Sequence, residues 1–144
     1  MATMSVQLRT LPDTRAAVGR SGAHTVVVDR PDGKAGGQGL GFNGGELLAL
    51  AIGGCLCNDL QYVAHEMGVE LASIAIDVHV TFEGSPALAT SASVTVNATA
   101  HDGYSVPEEL IRKAIESSTV SNSIQRGVTV RTNVGSIAPA VRPS

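Results

Sequence analysis

Two cysteines, Cys55 and Cys57, lie in one apolar run, Gly45-Glu-Leu-Leu-Ala-Leu-Ala-Ile-Gly-Gly-Cys-Leu-Cys-Asn-Asp-Leu60. A thiol can serve as nucleophile, metal ligand or small hydrophobe, and free cysteine in a core is ordinarily inert. Helical residues advance by about 100° each, so positions 55 and 57 point roughly 200° apart. They meet different environments and are badly placed to form a disulfide with each other. One thiol can be displayed while the other packs; Cys57, whose spacing provides no access, reads as the packing residue. A metal site made from Cys55, Cys57 and His65 is conceivable by residue type, but a Cys-x-Cys pair on one helix diverges instead of converging on a tetrahedral ion. Neither metal nor cofactor is expected. Asp59, one turn beyond Cys55, would oppose a thiolate if it shared the same pocket.

The element that carries the thiols reads as a helix from Glu46 to about Met67. Leu47, Leu48, Ala51, Ile52, Cys55, Leu56, Leu60, Val63, Ala64 and Met67 follow helical spacing, and Leu50 and Cys57 widen the apolar face almost to a full circumference. Gly68 suits the C-cap. Gly53-Gly54 costs about 1 kcal/mol per residue relative to Ala, so a close neighbour should compensate: another helix, which is the preferred reading, or a substrate. Ahead of the helix, Pro31 to Gly45 holds seven glycines in fifteen residues and reads as a loop, a lid or a subunit crossover. It has neither the Walker pattern nor a dinucleotide fingerprint.

Around this centre the chain alternates in type. Ser5 to Arg9 and Thr25 to Val28 suggest two or three short strands in the first thirty residues. Ile74 to Phe82 and Ser91 to Ala100 alternate apolar with polar about a Gly84-Ser85-Pro86 turn, which predicts a hairpin with one wet face. Ser105-Val-Pro-Glu108 reads as a capping box opening a second helix through Leu110, Ile111, Ala114 and Ile115. Val128 to Val134 reads as a final strand. The order of strands, helix, two strands, helix and strand defines an α+β fold. His24, His79 and His101 fall in strands or at strand ends, where surface or half-buried roles are ordinary.

At 144 residues, 43% hydrophobic and 16% charged, the chain suits a single globular domain over residues 1–144. The net charge of −3 and scattered Lys and Arg exclude a basic stripe for a phosphate backbone, so no nucleic-acid partner is expected. The first residues lack a signal-peptide pattern, and the run Leu47 to Cys57 is too short to span a bilayer. A soluble, cytoplasmic protein with no membrane partner is expected; the two closely spaced cysteines suit a reducing compartment.

The segment Asn43-Gly-Gly-Glu-Leu-Leu-Ala-Leu-Ala-Ile-Gly-Gly-Cys55, the following hairpin and Ser118-Thr-Val-Ser-Asn-Ser together resemble the OsmC/Ohr family of osmotically induced and organic hydroperoxide resistance proteins. The resemblance covers nearly the whole chain. It implies an intertwined homodimer in which antiparallel sheets wrap central helices and the active sites lie between subunits. It implies further that Cys55 is a nucleophile toward an organic hydroperoxide, that an Arg stabilises its thiolate and that a Glu holds the Arg. Arg15 is the best match for the Arg, with Arg30 second; Gly45 stands at the Glu position, so Glu46 beside it would take the role. The family's second cysteine falls on Ser118, so an external thiol is the preferred reductant, ahead of Cys57 or a partner-subunit thiol. A macrodipole acts mainly over the first turn, so a cysteine in the third turn needs that cation to be reactive. The other reading is a non-catalytic dimer that binds a small apolar or electrophilic ligand.

Overall fold

The computed structural model describes residues 1–135. Three short antiparallel strands come first: β1 (Gln7–Thr10), β2 (Ala17–Ser21) and β3 (His24–Val28), in the order β1-β2-β3. The long helix α1 (Gly44–Met67) follows, then the hairpin β4 (Leu71–Glu83) and β5 (Leu88–Ala100), and two short helices, α2 (Glu108–Ser117) and α3 (Thr119–Arg126). The α+β class and the order up to α2 are as expected from sequence.

The core forms where α1 meets α2 and β4. Leu56, Leu60, Val63 and Ala64 of α1 bury themselves with Leu110 and Ala114 of α2, and Ile74, Ile76 and Val96 of the hairpin close over them. The hairpin alternates as predicted over Ile74 to Val80, where Ile74, Ile76, Val78 and Val80 are half-buried while Ala75, Asp77, His79 and Thr81 are exposed, but Phe82, Ala92 and Val94 of the expected inner face are exposed. In register, Val78 faces Val94 and Ile76 faces Val96 across the pair. By length and composition α1 is capable of crossing a membrane, contrary to the reading of Leu47 to Cys57 as too short. Its buried contacts with α2 and β4 instead make it the core helix of this fold.

Several local expectations change. The capping box lies at the start of α1, where Glu46 N–H donates to Asn43 Oδ1 (2.9 Å) and Asn43 N–H to Glu46 Oε1 (3.1 Å). At Ser105–Glu108 there is none: α2 begins after Pro107 with no side-chain cap. The second helix is broken at Ser118, whose extended backbone (φ −63°, ψ 107°) separates α2 from α3. Val128 to Val134 is not a strand; Val128, Val130 and Val134 are exposed. A β-branched pattern needs a neighbouring strand to complete its ladder, and this segment has none among the described residues. The Gly53 notch receives the sheet, not a helix: a Cβ there would lie 2.9 Å from Val78 Cγ2, while one at Gly54 would meet nothing within 4 Å.

The glycine-rich loop is held by one buried carboxylate. Asp29 Oδ1 accepts from Arg30 N–H (2.8 Å), and Oδ2 accepts from Gln38 N–H (3.1 Å) and Leu40 N–H (3.0 Å). The Leu40 N–H, with lesser help from Gln38, Arg30 N–H and the Arg30 guanidinium, holds the Asp29 carboxyl below the usual carboxylate range against the opposing effect of burial. The ionised form is thus favoured by folding, a stabilisation fully present above the unfolded-state value of about 4 and lost as pH falls through the lower folded-state value. In urea titrations the wild-type midpoint should fall as the solution is acidified below about pH 4, and Asp29→Asn should be less stable at pH 7 with a flatter acid dependence. Identical acid profiles for the two proteins would remove Asp29 as the loop's anchor.

Candidate functional site

Helix geometry distributes the chemistry-bearing residues over different surfaces. Both cysteines are free and half-buried. Cys55 Sγ donates to Asp59 Oδ2 at 3.6 Å, one turn along the same helix. A carboxylate at that distance accepts the S–H proton in a hydrogen bond but repels a sulfur anion. The condition attached to Asp59 in the sequence is therefore met. Cys57 faces a separate groove with Gly53, Gly54, Leu50, Ile74 and Ile76. The divergence expected from the two-residue spacing is what the helix produces.

Glu46 lies on the Cys57 side. It rims that groove, and a second one with Asn43, Gly45, Val78 and Phe82. Nine residues at about 100° each place it roughly opposite Cys55 on α1. Its visible bond is the cap to Asn43. The Asn43-x-x-Glu46 spacing is the signature of this capping box.

The two arginines meet each other at the glycine-rich loop. Arg30 Nη2 donates to Arg15 O (2.7 Å) and to Asp29 Oδ1 (3.2 Å). The Arg15 side chain runs along the loop at Gly36, where a Cβ would come within 2.7 Å of its Nη1, beside Asp13, Thr14 and Gln38. Among the described residues, the only side-chain hydrogen bond of Cys55 goes to Asp59. The single chain brings Arg15 and Arg30 to one loop without bonding either to Cys55. No cluster of His, Cys, Asp and Glu suited to a metal ion occurs among the described residues.

Ser118 is 2% exposed. Its Oγ has no hydrogen-bond partner. It lines a cavity with Ile52, Leu56, Val94, Ile115 and Asn122. Its burial depends on packing of the α2–α3 elbow against α1.

A long small-residue helix bearing the thiol, a two-stranded sheet packed on it and a second helical layer define an α+β thiol-bearing fold. The sequence profile of the family described as OsmC-like protein matches residues 36–133, and the chain belongs to that family. Among solved structures, the OsmC-like protein of Mycoplasma pneumoniae is similar at TM-score 0.69 and 14% identity, over 86% of this chain and 88% of that one. The organic hydroperoxide resistance protein OhrB of Bacillus subtilis matches at TM-score 0.56 and 23% identity, over 86% and 91%. An organic hydroperoxide resistance protein OsmC from Legionella pneumophila matches at TM-score 0.58 and 19% identity, over 87% and 90%. No curated protein matches significantly. The expected α+β, OsmC-like fold of the single chain is thus the observed one.

Proposed function

We propose that this OsmC-like protein acts in peroxide stress as a thiol-dependent reductase of organic hydroperoxides, with Cys55 as nucleophile. The observation that carries the reading is a free, half-buried thiol midway along the long helix of this fold. The Cys55 sulfur attacks the terminal peroxide oxygen, the O–O bond breaks, and the leaving alkoxide takes a proton to become the alcohol. Sulfur gives up two electrons and becomes a sulfenic acid. An external thiol then attacks that sulfur, releasing water and leaving a mixed disulfide. A second equivalent of the thiol frees Cys55 and leaves as the oxidised reductant. Ser118 supplies no sulfur for an internal route.

A sulfur anion next to the Asp59 carboxylate would be favoured by a nearby cation. In this proposal Arg15 supplies it, and Glu46 tethers Arg15, when two protomers join as a homodimer. Because Glu46 and Cys55 lie on opposite sides of α1, Glu46 of one protomer serves Cys55 of its partner. The apolar surface that the single chain leaves exposed, including Leu50, Tyr62, Phe82, Leu88 and Val94, supports such an association. A cytoplasmic location supplies the reducing thiols. Exposure to one equivalent of cumene hydroperoxide should yield a dimedone-trappable sulfenic acid on Cys55 and none in Cys55→Ser; equal peroxide loss with both proteins would sink the reading.

The short contact to Asp59 and the unpaired hydroxyl of Ser118 favour a second reading, a non-catalytic homodimer that binds a small apolar ligand. Here Cys55 never turns over.

A further inference from the structure

Arg15 leaves the chain from a turn whose other groups are tied locally. Between β1 and β2, Leu11 N–H donates to Ala16 O (2.9 Å) and Thr14 N–H to Leu11 O (3.2 Å). Ala16 N–H donates to Thr14 Oγ1 at 3.1 Å, and Ala16 is buried. The Arg15 carbonyl takes no part in these bonds. It is held from a different element: Arg30, just beyond β3, donates to it from Nη2 at 2.7 Å.

The same nitrogen donates to Asp29 Oδ1 at 3.2 Å, so one atom of the guanidinium makes both bonds. The Asp29 side chain is 1% exposed, and a buried carboxylate is costly unless it is paired and hydrogen-bonded. Three backbone N–H groups and Arg30 supply those partners. Arg30 Nε, by contrast, is buried without a partner. That is unfavourable on its own, and a solvated arginine would turn the group to water; here the oxygens of Asp29 and Arg15 fix the far end of the side chain. Arg30 was the second candidate for the thiolate-stabilising cation, and its terminal nitrogen is committed elsewhere. Among the described residues no hydrogen bond or ion pair occupies the Arg15 guanidinium, which passes Gly36 where a Cβ would lie 2.7 Å from Nη1.

We propose that Arg30, paired with Asp29, is the positioning residue for Arg15: by holding the Arg15 carbonyl it fixes the backbone from which the Arg15 guanidinium is offered to Cys55 in the homodimer. This deepens the thiol-reductase reading and rests on it. Arg30 itself touches neither the sulfur nor the peroxide; it acts through placement, and a misplacement of about 1 Å can cost on the order of a hundredfold in rate. Asp29 is part of the same device. Both of its oxygens face donors, and an asparagine has one end that donates. Asp29→Asn must therefore release either Arg30 or the Gln38–Leu40 backbone, and Gln38 and Gly36 stand beside Arg15.

The test follows the rate of cumene hydroperoxide loss by the full chain in excess small external thiol. Arg30→Met should slow it by at least about tenfold. Arg30→Lys should keep most of the wild-type rate, because a single ammonium can donate to both oxygens, a rescue that loss of packing alone would not give. The decisive variant is Arg15→Ala with Arg30→Met, which should be no slower than Arg15→Ala alone, since the two residues act as one unit. Losses that multiply in the double variant would make Arg30 an independent contributor and overturn the proposal. So would a wild-type rate in Arg30→Met when Arg15→Ala is slow, a result that leaves the reductase reading intact. No peroxide loss in wild type, or no effect of Arg15→Ala, would overturn the reading and this role together. If Arg30→Met does not fold, full activity in Asp29→Asn, or a loss in Arg30→Lys as large as that in Arg15→Ala, defeats the assignment.

Discussion

Cys55→Ser should lose all thiol-dependent consumption of cumene hydroperoxide, whereas wild type should consume one equivalent without added reductant and turn over once a small external thiol is supplied. The argument is stoichiometric. Cys55 and Cys57 are the only thiols in the chain, and Cys57 faces the Gly53–Gly54 groove instead of the Asp59 side of α1. Cys57→Ser should therefore keep the reaction. Asp59 gives the test a second arm. A carboxylate 3.6 Å from the sulfur opposes a sulfur anion, and Asp59→Asn removes that repulsion at nearly constant shape. Alkylation of Cys55 by iodoacetamide should therefore be faster in Asp59→Asn than in wild type. Arg15→Ala should slow it if the dimer brings that guanidinium to the sulfur. A rate that rises with Asp59→Asn and ignores Arg15→Ala, together with no peroxide loss in wild type, would select the ligand-binding reading.

Gly41→Ala should be the most disruptive single methyl in the described chain, lowering stability by about 3 kcal/mol. Phe42 N–H donates to Val27 O at 3.0 Å and Asp29 N–H donates to Phe42 O at 3.1 Å, so Val28 and Phe42 form a parallel bridge. That bridge ties the first sheet to the residues immediately before α1. A Cβ on Gly41 would collide with the carbonyl carbon and oxygen of Val27 and approach Val27 Cγ1 at 2.9 Å. Backbone cannot rotate away as a long side chain can, so relief requires breaking the bridge. Gly44→Ala is the control, because a Cβ there meets nothing within 4 Å; it should change the urea midpoint little. If both variants unfold together with wild type, the collision is being relieved at no cost and the bridge does not fix the loop.

These two regions show different degrees of legibility. The Cys55 environment was partly readable because it depends on the period of one helix: a two-residue spacing separates Cys55 from Cys57, and a four-residue spacing pairs Cys55 with Asp59. Asn43 and Glu46 obey the same local arithmetic at the helix start. The Gly41 contact was hidden, because its partner, Val27, is fourteen residues earlier in the sequence and the approach depends on how the loop folds back. The notch at Gly53 was visible as a site of close approach, but the neighbour proved to be Val78 of β4 instead of another helix. Nothing in the local pattern distinguishes a sheet from a helix on the far side of a glycine.

The sequence by itself determined the α+β element order up to α2, the alternation of β4 from Ile74 to Val80, the family and the divergence of the two thiols, since each follows from short-range periodicity or a contiguous motif. Tertiary structure alone decided that Arg15 and Arg30 share a loop secured at Asp29, that Ser118 breaks a helix and buries an unpaired hydroxyl, and that Val128 to Val134 forms no strand. Those outcomes depend on which distant surfaces are available to bond or cover a residue. Side-chain type and spacing do not encode that availability.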